Sequence, residues 1–142
     1  MYYQDSMIST IKQPIGLLIP IQDGDNGFFD QSYDTLTQSK MNIINLLNTR
    51  QGERRFQPTF GCRLWNITFE QNVDNLSDIA NNIISEDISM WIPNVTVIDV
   101  TSTLYSDDQI THDKDIYKLD IAVKFMVNMT KQEDTINITI NN

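Results

Sequence analysis

The sequence predicts an α+β fold, in which two helices pack on a small antiparallel three-stranded C-terminal sheet behind an extended N-terminal arm. Three observations carry this expectation. Apolar residues recur with a period near 3.6 through the middle of the chain, and the period switches to two after Pro93. The first 34 residues show neither period and are instead punctuated by prolines and glycines. At 142 residues the chain has the length of one domain. The expected division is an arm over residues 1–34 and a single α+β domain over 35–142.

In the arm, the apolar run Ile15 to Ile21 is flanked by Pro14 and Pro20 and followed by the turn-rich Asp23-Gly24-Asp25-Asn26-Gly27. Proline lacks the N–H a central strand must donate, so such a run pairs at a sheet edge or lies as a strap over another surface. We expect a strap.

The first helix is expected over residues 35–49. Asp34 or Thr35 can cap it, and Thr35 with Gln38 has the capping-box spacing. Leu36, Ile43, Ile44 and Leu47 then share a face, with Met41 at its border, and Gly52 lies beyond the end. Residues 50–71 read as a compact irregular loop with aromatic anchors and one helical turn near Leu64 to Phe69. The second helix shows the cleanest stripe: Leu76, Ile79, Ala80, Ile83, Ile84, Ile88 and Trp91. Asn75 can cap its start, and Pro93 forces its end.

Strands follow at 95–104, 116–129 and 135–140. In the second, Tyr117, Leu119, Ile121, Val123, Phe125, Val127 and Met129 take every other position, while Lys118, Asp120, Lys124 and Asn128 face away; in the third, Ile136, Ile138 and Ile140 alternate with Asn137 and Thr139. The first has a less clear alternation. A three-stranded sheet leaves two edges of unpaired N–H and C=O groups, which solitary proteins blunt with proline, lysine or bulges. The terminal TINITI strand carries none of these on its outer face, so its edge is open either to a partner's strand or to the chain's own run at 14–21.

Composition narrows the chemistry. A net charge of -9 argues against nucleic acid as the main partner, because phosphate contacts need clustered Lys and Arg. No apolar run approaches the ~18 residues of a membrane helix, and the N-terminus lacks the pattern of a secretion signal. The single Cys62 excludes an internal disulfide and fits a reducing compartment. The only histidine, His112, lies among aspartates in SDDQITHDKD and is expected to be solvated. Asp107, Asp108, Asp113 and Asp115 lack the spacing of a calcium loop, and no cofactor motif is present. Glu53, Glu70 and Glu86 offer carboxylate pairs for glycoside hydrolysis, as any acidic chain does. More distinctive is Glu53-Arg54-Arg55 beside Phe56, Phe60 and Trp65, which suits an interface anchor or a local salt bridge.

The stretch LLNTRQGERRFQPTFGCRLWNITFE, residues 46–70, resembles the signature of the baseplate wedge proteins that initiate sheath assembly in contractile phage tails, with relatives in type VI secretion baseplates. The matching positions are Leu46, Leu47, Thr49, Gly52, Glu53, Arg54, Pro58, Phe60, Gly61, Cys62, Leu64, Phe69 and Glu70. Trp91 and Pro93 close the second helix, where Ile92-Pro93-Asn94 stands in place of the family's usual Glu-Pro-Arg. The resemblance implies a non-enzymatic subunit of the virion tail baseplate, assembled in the host cytoplasm. It implies partners in the first sheath ring, in the helical core bundle of other wedge proteins, and in the tube or hub, with no nucleic acid, membrane or cofactor. The signature loop would meet neighbouring wedge subunits, and Ile136, Asn137, Ile138, Thr139 and Ile140 would form the strand-docking edge. A lysozyme-like cell-wall glycosidase is the alternative.

Overall fold

The computed structural model describes residues 12–25, 27–67, 76–106 and 117–141. The elements are β1 (Gly16–Leu17), β2 (Gln31–Ser32), α1 (Thr35–Asn48), α2 (Leu64–Ile67), α3 (Leu76–Trp91), β3 (Val95–Ser106), β4 (Tyr117–Val127) and β5 (Glu133–Asn141). The α+β class and the three-stranded antiparallel C-terminal sheet are as the sequence predicts.

Helix α1 starts because the Asp34 carboxylate accepts the Thr37 N–H at 2.8 Å, satisfying one of the orphan donors of the first turn. The Thr35–Gln38 capping box does not form. The Gln38 side chain turns to the arm instead, accepting from Ser32 Oγ and donating to Asn42. The helix ends where Thr49 becomes extended, with its hydroxyl donated back to the Asn45 carbonyl. Ile43, Leu46 and Leu47 are its fully buried face.

Helix α3 buries Ala80, Ile84 and Ile88, with Asp87 beside them. Its inward face is rotated from the expected stripe: Ile79 is 38% exposed, while an acidic residue occupies the core side. The expected cap at Asn75 lies outside the described residues. Ile92 is buried just past the helix end, and the Asn94 amide reaches back to Ser39 on α1.

In the main sheet, strands β3–β4–β5 run in spatial order. Leu119, Ile121, Val123, Phe125 and Val127 of β4 alternate inward, as do Ile136 and Ile140 of β5. Met129, expected within the second strand, sits in the following turn and is 85% exposed. The obscure alternation of β3 has a physical cause: a register shift between Val97 and Asp99 forms a bulge. The inward side therefore passes from Val95 and Val97 to Val100 and Ser102, leaving Ile98 exposed. Helix α3 covers β3, and α1 lies over β5 and β4.

The described part of the arm is not one straight strap. Gly16 and Leu17 pair antiparallel with Ser32 and Gln31, and Ile15 and Leu18 donate to Ser32 and Asp30. This hairpin rests on α1 at Gly16, where any Cβ would collide with the Gln38 amide. It forms a sheet separate from β3–β4–β5, so the run at 14–21 does not close the β5 edge.

Candidate protein-binding site

Two surfaces gather the residues singled out by the sequence: the loop between α1 and α2, and the outer edge of β5. The loop has few repetitive hydrogen bonds, so specific ones fix its path. Cys62 donates its N–H to Thr49 and forms a parallel bridge with Arg50, while Gly52 donates to Pro58. Gly61 has φ +126 and is buried against Thr49, whose carbonyl oxygen would stand 2.7 Å from an added Cβ. Only glycine fits there. Gly52 has φ +93 but open space around it. Cys62 and Leu64 are fully buried beneath the loop, and burial pushes the Cys62 thiol up to about 12.

Above this base the aromatic and cationic side chains stack. The Arg54 guanidinium lies 4.1 Å from the Phe60 ring centroid, and Phe60 meets Trp91 of α3 edge-on at 5.2 Å. Arg50 lies 4.3 Å from the Trp65 ring, whose indole donates to the Leu47 carbonyl at 3.0 Å. Phe56 projects fully into solvent. Of the two readings of Glu53-Arg54-Arg55, the local salt bridge is absent among the described residues. Glu53 instead accepts the Arg50 backbone N–H at 3.1 Å. Pro93 marks the turn into β3 and offers its carbonyl to Asn128. Phe69 and Glu70 lie outside the described residues, as does His112 with its aspartates.

One ion pair beneath the loop escaped the sequence altogether. Arg63 binds the buried Asp87 through its backbone N–H and Nε, and reaches Glu86 with its second guanidinium nitrogen at 2.7 Å. These partners raise the Arg63 pKa further, the Glu86 hydrogen bond most. The available signal was an aspartate adjoining the apolar stripe of the helix, next to Ile84 and Ile88.

The β5 edge can be resolved atom by atom. Val127 donates to Gln132 at 2.9 Å, a directly opposed pair continuing the β4–β5 register. Hydrogen-bonded and non-bonded pairs alternate in antiparallel sheets. Ile136, Ile138 and Ile140 therefore turn their backbone groups toward Ile121, Val123 and Leu119 of β4. Thr135, Asn137 and Thr139 turn theirs outward, and none of them pairs with another strand among the described residues. The expected docking residues thus divide: the isoleucines build the sheet and core, while Asn137 and Thr139 face the edge. The opposite edge, on β3, carries the bulge, a device that disfavours pairing.

Elsewhere, Glu53 and Glu86 are exposed and held by Arg50 and Arg63 rather than set in an apolar pocket suited to a general acid. Among the described residues no group of His, Cys, Asp or Glu gathers to hold a metal, and no helix is long and apolar enough to cross a membrane.

The family model described as baseplate wedge protein gp25 matches residues 40–132, and the chain belongs to that family. No curated protein matches it. Among solved structures it is similar to a proposed tail lysozyme from Geobacter sulfurreducens, with TM-score 0.61 and 20% identity over 75% of this chain and 90% of that one. A chain of the anti-feeding prophage baseplate gives 0.60 and 19% identity over 79% and 83%. One from the type VI secretion baseplate complex gives 0.50 and 16% over 70% and 87%. These likenesses show the fold.

Proposed function

We propose that this baseplate wedge protein initiates the sheath: its β5 edge accepts a strand from the first sheath ring, while its loop packs against neighbouring wedge subunits. The observation that supports this most is the outward row of backbone groups at Thr135, Asn137 and Thr139, which pair with no strand among the described residues; only the Thr135 N–H is engaged, by the Asp134 carboxylate at 2.7 Å, and the opposite edge, on β3, is blunted by its bulge. An incoming strand would form about five backbone hydrogen bonds there, each contributing roughly 1 kcal/mol net. Association in solution costs about 4 kcal/mol or more in lost freedom, so the strand alone binds weakly. The subunit itself is held in the baseplate by a separate contact to neighbouring wedge subunits, for which the Arg54–Phe60–Trp91 stack and exposed Phe56 are suited. The site of action is then the virion tail baseplate, assembled in the host cytoplasm near the tube or hub. The test is sheath growth on particles carrying Asn137→Pro, which removes an outward N–H. Baseplates without sheath are expected, and normal-length sheath would contradict the role. Among the described residues, Glu53 and Glu86 are exposed and lie in no apolar pocket that would favour the glycosidase alternative.

A further inference from the structure

The hairpin ahead of α1 ends in a tip that the strand-docking role does not use. Asp30 donates its N–H to Gln22 at 2.9 Å, and a Gly24–Gly27 bridge narrows the turn. Gly24 is required: a Cβ there would lie 2.5 Å from the Phe29 carbonyl oxygen. The tip so fixed holds Phe28 at 89% exposure and Phe29 at 50%. Two phenylalanines this exposed on a constrained turn, next to an exposed Ile21, form an apolar knob of the kind that anchors protein interfaces.

Charge indicates what fits it. Asp23, Asp25 and Asp30 flank the phenylalanines in the chain and are exposed, and none of them forms an ion pair among the described residues. We infer that this tip docks into an apolar pocket rimmed by lysine or arginine on a different protein of the baseplate. A second copy of this chain is a poor host for two reasons. Each copy carries -9, so copies repel. Its arginines are also mostly engaged, Arg50 on Trp65, Arg54 on Phe60 and Arg63 on Asp87.

The knob is tested by placing the photo-crosslinker p-benzoylphenylalanine at position 28 and irradiating assembled baseplates. The expected product joins this chain to another baseplate protein, at a peptide containing or adjoining Lys or Arg. Crosslinks confined to the same chain, to a second copy, or to solvent overturn the inference. In parallel, the charge-reversed variant Asp23→Lys/Asp25→Lys/Asp30→Lys should enter baseplates at least tenfold less than the wild type, with its thermal unfolding unchanged. Equal incorporation overturns the inference. Repeating the crosslink in an Asn137→Pro background separates the two surfaces: the product persists when only strand docking fails.

Discussion

Arg63 grips Asp87 twice across 24 residues of sequence, through its backbone N–H to Oδ2 at 2.9 Å and its Nε to Oδ1 at 2.7 Å. The carboxylate is 2% exposed and the arginine 39%, so the pair plugs the seam between α2 and α3 while its cation stays half in water. Asp87→Ala is expected to destabilise the fold by roughly 2–3 kcal/mol, since charged hydrogen bonds in partly buried settings are worth that much. Urea unfolding measures it. Arg63→Lys should also lose stability, because an ammonium cannot reproduce the guanidinium fork. A change below about 0.5 kcal/mol, the range of ordinary surface substitutions, would show the pair to be incidental.

The two loop glycines should differ. At Gly61 both the backbone angle and the 2.7 Å approach to Thr49 forbid a side chain, so Gly61→Ala should lose more than about 2 kcal/mol. At Gly52 only the angle objects, and Gly52→Ala should lose about 1 kcal/mol. Thermal unfolding of the two variants side by side checks the order.

Cys62 should be inert. Its thiol is buried and pushed up to about 12, so the nucleophilic thiolate is scarce at neutral pH. A disulfide exchange reagent is expected to leave the folded protein unlabelled and to react fully once denaturant is added. Rapid labelling of the native protein would mean that the loop opens readily.

The Lys40–Asp134 contact ties α1 to the start of β5 at 2.7 Å, with both side chains about a third exposed. Lys40 holds the Asp134 carboxyl below its ordinary value of 3.8. A depressed carboxylate contributes stability that is complete above that value and lost as pH falls below it. Exposure limits the contribution to below about 1 kcal/mol. Asp134→Asn should therefore lose a little stability near neutral pH, and the gap from the wild type should close below pH 3.8. A gap that widens in acid would reverse the sign.

Much of this was legible in the sequence where side chains repeat. Helices α1 and α3 and strands β4 and β5 emerged from periodicity because each buries one continuous face. Strand β3 blurred because the bulge at Ile98 inverts its parity midway. Met129 and Ile79 were misplaced for a related reason: an apolar residue in phase with a stripe need not be covered when the element ends or rotates. The loop's shape was hidden, since Cys62–Thr49 and Gly52–Pro58 are single long-range bonds without a period. The arm hairpin was hidden too, its strands being two residues each. The edge was located by composition, but which of its residues face outward required the Val127–Gln132 bond.

Cryo-electron microscopy of the assembled tail end tests the central claim most directly. The expected map shows a strand of another chain beside β5, hydrogen-bonded to the backbones of Thr135, Asn137 and Thr139. A map in which those groups face only solvent, or the protein's own N-terminal residues, would contradict it.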